Sequence, residues 1–130
     1  MIGDSYLLHA NIIIEVFEGN KSIADKIVSL PSFFTSAIVP GELYVGINRV
    51  SNKAIHLERL KRLLTLCTIL SIDTTTAEHY GAIIAALYKK GKPVPTNDVW
   101  ITSVCLQHDM ILVSNDRHFN EIAGLKLENW

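Results

Sequence analysis

The sequence has few cysteines and no long uninterrupted apolar segment. Only two cysteines, Cys67 and Cys105, occur in 130 residues, and neither belongs to a zinc-finger pattern. We expect both to be reduced, buried and inert, which favours a cytoplasmic protein.

No apolar run approaches the roughly 18 residues that a membrane-spanning helix needs. The first residues also lack the basic segment of a secretion signal, so neither membrane insertion nor secretion is expected.

Charge of one sign is not in excess, and the chain contains no repeats or low-complexity tracts. Twelve Lys and Arg residues are balanced by 13 Asp and Glu, for a formal net charge of -1. The field of the whole molecule therefore does not favour nucleic acid, and any RNA contact needs a local basic patch. The absence of repeats excludes solenoids. With 48% hydrophobic residues, the chain can form one core, and we expect a single domain over residues 1–130.

Short apolar segments alternate with helical ones along the chain. The expected strands are 6–8, 33–39, 68–72, 110–114 and 125–127, and the expected helices are 11–18, 22–30, 41–50, 52–67, 74–90 and 97–108. Gly19 and Gly91 suit the left-handed turns that end helices, and Pro40 suits a first helical position. Strands separated by helices predict parallel crossovers. The fold class is therefore α/β, with a mostly parallel central sheet of four to five strands flanked by helices.

Polar side chains follow the expected strands, where open parallel sheets bind their ligands. They come from separate parts of the chain: His9, Asn11, Glu42, Ser114, Asn115 and Asp116. Asp98 instead begins the expected helix at residues 97–108 and faces the same edge if that helix packs back onto the sheet. Acids that gather at one sheet edge repel one another unless a cation joins them, and hard divalent cations prefer carboxylate oxygens. The sequence therefore predicts a divalent-metal site formed by Glu42, Asp98 and Asp116.

The same acids also lie near expected helix starts, where capping and the helix dipole favour Asp and Glu. A small α/β protein whose acids only cap helices is therefore an alternative. His118, beside the last acid, is a weaker candidate for contact with a substrate, and Phe119 is expected in the core. Basic residues that flank the sheet edge are candidates for phosphate contacts or are solvated helix ends: Lys89, Lys90, Lys92 and Arg117.

Five ordered segments carry a further signal over nearly the whole chain. They are residues 6–14, residues 41–43 with 46, residues 80–81 with 90–93 and 97–101, residues 112–116 with 118–119, and residues 124–130. Together they are similar to the motifs of the PIN-domain family, in particular the VapC-type ribonuclease toxins of bacterial toxin-antitoxin pairs. The resemblance implies a divalent-metal-dependent endoribonuclease that uses Mg²⁺ or Mn²⁺, acts on RNA, forms a homodimer and is inhibited by a small antitoxin protein.

The resemblance also assigns roles by position. Glu42, Asp98 and Asp116 match the family's metal ligands and water-orienting acids. Asn11 is implied to hold the site together by hydrogen bonds, and Ser114 and Asn115 are expected to support it.

His9 stands where the family has an aspartate, and Ala10 stands where it has a hydroxyl residue. Imidazole is a poor ligand for Mg²⁺ but suits Zn²⁺ and other transition metals. Four interpretations remain open: a weaker Mg²⁺ site, a site retuned toward Mn²⁺ or Zn²⁺ with His9 as a ligand, a catalytically silent module that still binds antitoxin or RNA, and a substitution introduced for study.

Overall fold

The computed structural model describes residues 4–130, which form one parallel sheet and the helices that flank it. The strands are β1 (Tyr6–Leu8), β2 (Phe34–Ser36), β3 (Thr68–Leu70), β4 (Ile111–Val113) and β5 (Lys126–Glu128). The helices are α1 (Ala10–Phe17), α2 (Lys21–Ser29), α3 (Ile38–Ile47), α4 (Lys53–Leu66), α5 (Thr74–Lys90) and α6 (Thr96–His108). A 3₁₀ turn over Arg117–Glu121 joins β4 to the last strand.

The sheet has the strand order β3-β2-β1-β4-β5, and all of its neighbouring strands are parallel. From β1 the chain moves outward through β2 to β3 and then returns to add β4 and β5 on the other side. The order therefore reverses between β1 and β4, where Leu8 pairs with Val113. This arrangement confirms the predicted α/β class, and it creates a crevice for ligands at the carboxyl ends of β1 and β4.

The core lies around the two central strands. Leu7 and Leu8 of β1 and Leu112 and Val113 of β4 have no exposed surface. This is expected for a parallel sheet covered on both faces. Helix α6 is buried over most of its length, because its residues from Val99 to Cys105 pack into the core with one partly exposed exception. The first turn of α6 is therefore held rigidly against the sheet.

The second strand is shorter than the sequence predicts. It ends at Ser36 rather than at residue 39, and α3 already begins at Ile38, where the Ser36 hydroxyl accepts the backbone N–H at 3.2 Å. Pro40 is therefore the third helical residue and not the first. It is tolerated there because the first N–H groups of a helix have no partner within the helix. The earlier start places Glu42 in the second turn of α3, beyond the capping positions.

Both cysteines are free thiols, and their burial differs from the prediction at one position. Cys105 is fully buried as predicted, whereas Cys67 is only partly buried. Burial raises the pKa of the Cys67 thiol to about 11 and also raises the pKa of Cys105. Both thiols therefore stay protonated near neutral pH, as expected of unreactive cysteines. Phe119 lies in the core, with 1% of its surface exposed, as predicted.

None of the helices found in residues 4–130 combines the length and the apolarity that crossing a bilayer requires.

The glycine that follows α5 and a glycine inside it provide a matched stability test. Gly91 follows the helix with φ of +64°, a left-handed conformation, and we expect Gly91→Ala to lower the free energy of unfolding by about 1 kcal/mol. Gly81 lies inside α5 with nothing within 4 Å of an added Cβ. Gly81→Ala should raise the free energy of unfolding by roughly 0.5–1 kcal/mol. Urea denaturation measures both changes, and changes of the same sign would contradict this account.

Candidate metal centre

The candidate centre lies where the strand order reverses. His9 directly follows β1 and Ser114 directly follows β4, so both residues lie at the same edge of the sheet. The backbone N–H of His9 continues the pairing of the two strands by donating to the carbonyl of Val113 at 3.0 Å. His9 is 4% exposed, so its imidazole lies inside the molecule rather than on the surface.

Asp98 is the centre of the polar cluster. It lies in the first turn of α6, and 8% of its side chain is exposed. Its Oδ1 is hydrogen-bonded to His9 Nε2 at 3.1 Å, and its Oδ2 lies 2.6 Å from His118 Nε2. No side chain caps α6, whose N-cap residue is Pro95. The Asp98 carboxylate therefore contacts two imidazoles and does not serve as a helix cap.

Asp116 completes a group of close ligand atoms. Its Oδ2 lies 3.6 Å from His9 Nδ1, and one ligand atom from each of His9, Asp98 and Asp116 falls within 4.8 Å of the others. The Asp116 side chain is 44% exposed, so it lies where the cluster opens to solvent. It precedes the 3₁₀ turn without capping it. Asp98 and Asp116 therefore meet at one sheet edge, as the sequence predicts.

Glu42 lies near this group but outside the set of atoms within 4.8 Å. Burial raises the pKa of the Glu42 carboxyl; the positive charge of His9 lowers it, and the negative charges of Asp98 and Asp116 raise it, with a net increase. One of its oxygens, Oε1, is buried and has no hydrogen-bond partner. All three predicted acids thus share one electrostatic environment, and none of them caps a helix.

Ser114 and Asn11 connect the cluster to the sheet. Ser114 is fully buried, and its Oγ lies 3.1 Å from His9 Nδ1. The same oxygen accepts a hydrogen bond from Asn11 Nδ2 at 3.3 Å and from the backbone N–H of Asp116 at 3.2 Å. The order of Asp98, His9 and Ser114 resembles a hydrolase triad, but a hydroxyl with no exposed surface cannot attack a substrate. Ser114 therefore fixes the orientation of the His9 ring.

Asn115 has a different role from its neighbours. Its side chain accepts a hydrogen bond from the backbone N–H of Trp130 at 3.1 Å and donates to the Trp130 carbonyl at 3.2 Å. The Ser114 backbone N–H donates to the carbonyl of Glu128 at 3.0 Å just before this pair. Asn115 thereby extends the pairing between β4 and β5 by one side chain, and it anchors the segment that carries Asp116.

The charges of His9 and Asp98 stabilise one another. Burial lowers the pKa of His9, but the hydrogen bond to Asp98 and the charges of Asp98, Glu42 and Asp116 outweigh it, so the pKa is raised. Burial raises the pKa of Asp98, but the hydrogen bond with His9, the positive charge of His9 and the contact with His118 outweigh that effect and lower it. The surrounding acids therefore favour the protonated form of His9.

His118 is the residue at the centre that the sequence indicated only weakly. The side chain is 32% exposed, and its Nε2 contacts the buried Asp98 carboxylate. Its position two residues after Asp116 was the available signal. The contact itself depends on the 3₁₀ turn at residues 117–121, which brings the ring back toward α6.

The predicted RNA-contacting cations are all exposed, but one of them has partners elsewhere. Lys90 donates to the backbone carbonyl of Glu121 at 2.6 Å, and its Nζ lies 3.5 Å from a carboxylate oxygen of the same residue. Lys89, Lys92 and Arg117 have exposed side chains on the surface. The structure thus leaves these three as better candidates for phosphate contacts than Lys90.

The donor atoms of the centre fit a divalent cation. The group of His9, Asp98 and Asp116 offers one nitrogen and two carboxylates as ligands. Two further acceptor oxygens, Glu42 Oε1 and Asn11 Oδ1, are buried without hydrogen-bond partners. Buried acceptors are costly unless a donor or a cation satisfies them. A divalent ion held by the carboxylates agrees with both observations.

Comparison with known proteins identifies the family. Residues 6–125 match the PIN domain family. The chain is 30% identical over 128 residues to the ribonuclease VapC2 of Haemophilus influenzae, covering 96% of this chain and 97% of that protein. It is 30% identical over 96 residues to the tRNA(fMet)-specific endonuclease VapC of Salmonella typhimurium, covering 73% of each. The structure of VapBC-1 from nontypeable H. influenzae superposes with a TM-score of 0.86 at 28% identity, covering 96% of this chain and 97% of that one. The chain therefore belongs to the PIN domain family and is a VapC-type protein within it.

Proposed function

We propose that this protein is a divalent-metal-dependent endoribonuclease, the toxin of a toxin-antitoxin pair, in which Glu42, Asp98 and Asp116 hold Mg²⁺ or Mn²⁺. The observation that carries the proposal is the set of carboxylates around His9 at the strand-order reversal, with buried acceptor oxygens that lack donors. Relatives of matching length that are named ribonucleases support the same reaction class.

Different residues of the chain have different roles in the proposed hydrolysis of the phosphodiester. A bound divalent ion supplies a Lewis acid for the phosphate and lowers the pKa of a water molecule. Asp98 is buried and held at both oxygens, so it fixes the position of the ligand set. Asp116 is 44% exposed and reaches solvent, so it is placed to orient the attacking water and accept its proton. Arg117, Lys89 and Lys92 are placed on the surface to contact phosphates of the RNA.

The names of the relatives support RNA as the substrate, whereas the net charge of the chain does not. The Salmonella relative is named a tRNA(fMet)-specific endonuclease, and the Haemophilus relative is named a ribonuclease. With a net charge of -1, attraction of RNA must come from the exposed basic side chains near the sheet edge.

A groove beside the metal centre is the proposed site for an antitoxin segment. It encloses about 410 Å³ and is lined mainly by residues of α1, α3 and α4: Ile14, Phe17, Glu18, Glu42, Leu43, Gly46, Ile47, Val50, His56 and Arg59. Because Glu42 belongs to both the groove and the centre, a segment bound here would restrict access of RNA to the acids. The solved relative from Haemophilus is a VapBC structure, which supports a partner of this kind.

We also propose a homodimer, which light scattering of the purified protein tests. A protein that stays monomeric at high micromolar concentration would contradict it. Exposed apolar side chains are available for such an interface, among them Val28 with 83% and Leu66 with 69% of the surface exposed.

A second candidate function is a catalytically silent module that binds antitoxin or RNA. One observation favours it: the imidazole of His9 lies between the carboxylates of Asp98 and Asp116. Cleavage and metal binding, measured on the same preparation, separate the candidates. Metal binding with cleavage of RNA supports the nuclease, metal binding without cleavage supports the silent module, and the absence of both contradicts a metal centre.

A further inference from the structure

Two imidazole rings contact the same carboxylate in this centre. His9 Nε2 is hydrogen-bonded to Asp98 Oδ1 at 3.1 Å. His118 Nε2 lies even closer, 2.6 Å from Asp98 Oδ2, yet the pair does not meet the geometry of a hydrogen bond, and this buried nitrogen has no other partner. A nitrogen and a carboxylate oxygen at such a distance require a proton or a cation that they share. Asp98 therefore has an imidazole nitrogen close to each of its two oxygens.

The His9 ring is held as a metal-binding histidine usually is. Ser114 Oγ lies 3.1 Å from Nδ1, which leaves Nε2 facing Asp98. A histidine ligand commonly has its second ring nitrogen fixed by a hydrogen bond in this way. Phe119 packs edge-on against the ring, with 5.1 Å between the ring centroids, and limits its rotation. The nitrogen is thus positioned by contacts on two sides.

The types of donor atom determine which ions suit the centre. Mg²⁺ prefers oxygen ligands, whereas Zn²⁺, Mn²⁺ and related ions accept imidazole nitrogen. The group of His9, Asp98 and Asp116 combines one imidazole nitrogen with carboxylate oxygens, whereas His118 lies outside this group and contacts Asp98.

We propose that His9 makes this centre a site for a transition-metal ion that accepts a nitrogen ligand, with Zn²⁺ and Mn²⁺ bound in preference to Mg²⁺. Asp98 and Asp116 supply the oxygen ligands. The inference specifies the metal of the proposed nuclease and rests on that function for the role of the ion in cleavage.

Metal titration of the full chain tests the inference without reference to activity. The protein is stripped with a chelator and titrated in a calorimeter with Zn²⁺, Mn²⁺ or Mg²⁺ at fixed pH and salt. We expect Zn²⁺ and Mn²⁺ to bind at least about 10-fold more tightly than Mg²⁺. In the Mn²⁺ protein, pulsed electron paramagnetic resonance should detect coupling to nitrogen from the His9 imidazole.

Two histidine variants and a matched control test the ligand His9 and the neighbouring His118. His9→Asp should weaken Zn²⁺ binding on the order of 10–100-fold and strengthen Mg²⁺ binding. His118→Asn should also weaken Zn²⁺ binding, because His118 holds the Asp98 carboxylate in place, and its partly exposed position makes it a variant that folds even if His9→Asp does not. His108→Asn, exposed at the end of α6, should leave the affinities unchanged. Circular dichroism verifies the fold of each variant.

The inference is overturned if the parent protein binds Mg²⁺ more tightly than Zn²⁺, if the folded histidine variants bind Zn²⁺ as well as the parent does, or if no nitrogen coupling is found. Assays of RNA cleavage distinguish this failure from failure of the proposed function. A protein that cleaves RNA with Mg²⁺ but fails these tests keeps the nuclease function and loses this inference. A protein that binds Zn²⁺ through His9 and cleaves no RNA keeps this inference and loses the nuclease function.

Discussion

Asp98→Asn is expected to lower the rate of RNA cleavage by on the order of 10²–10³-fold, the usual cost of removing one preorganised charged group from an active centre. The asparagine is nearly isosteric with the aspartate, so it fills the same space in the first turn of α6. It lacks the negative charge that binds the metal ion, and its amide nitrogen replaces an oxygen that faces His9 or His118. Metal affinity should therefore fall together with the cleavage rate.

The control for Asp98→Asn is a carboxylate that lies outside the centre. Asp25 is exposed on α2, in an ion pair with Lys21 at 3.6 Å. Asp25→Asn should leave cleavage within about twofold of the parent rate, because exposed ion pairs contribute little. If both variants cleave RNA equally well, Asp98 does not hold the metal, and the centre described here is not the active site.

Leu112→Ala is expected to lower the free energy of unfolding by about 3 kcal/mol, within the range for deleting a buried leucine side chain. Leu112 has no exposed surface and lies in β4, where it pairs with Leu7 of β1 and Leu127 of β5. Truncation leaves a cavity in the middle of the sheet. A domain of this size is stable by roughly 5–15 kcal/mol, so this loss is a large fraction of the total.

Urea denaturation of the metal-free protein measures this loss without a contribution from ligand binding. Val28→Ala is the matched control, since Val28 is 83% exposed on α2 and its truncation should change stability by less than about 0.5 kcal/mol. Similar losses in both variants would show that β4 is not at the centre of the core.

Most of the fold could be predicted from local sequence, and the one clear error has a local cause. Strand β1 was predicted at residues 6–8 because a short apolar segment there ends abruptly at polar residues. The end of β2 was predicted wrongly because Ile38 and Val39 are β-branched and favour strands. In the structure Val39 is fully buried within α3, so packing against the core overrides the local preference. The strand order, with β4 beside β1, depends on contacts distant in sequence.

The centre was predictable where it depends on strand ends and less so where it depends on a turn. Asp98 and Asp116 meet because α6 begins and β4 ends at a common edge of the sheet, which alternating strands and helices already indicate. The alternative that these acids cap helices is excluded by their side-chain partners in the structure and not by the sequence. Contact between His118 and Asp98 requires the 3₁₀ turn, and neither helical nor strand periodicity reports such a turn.

The most direct test of the nuclease centre is the rate at which the metal-stripped parent protein and its Asp98→Asn variant cleave one purified RNA as Mn²⁺ is added. We predict no cleavage by the parent in the presence of chelator, a rate that rises and saturates with Mn²⁺, and a nearly flat response of the variant over the same range. Cleavage by the parent that persists in chelator, or no cleavage with any of Mn²⁺, Zn²⁺ and Mg²⁺, would contradict a metal-dependent nuclease at this site.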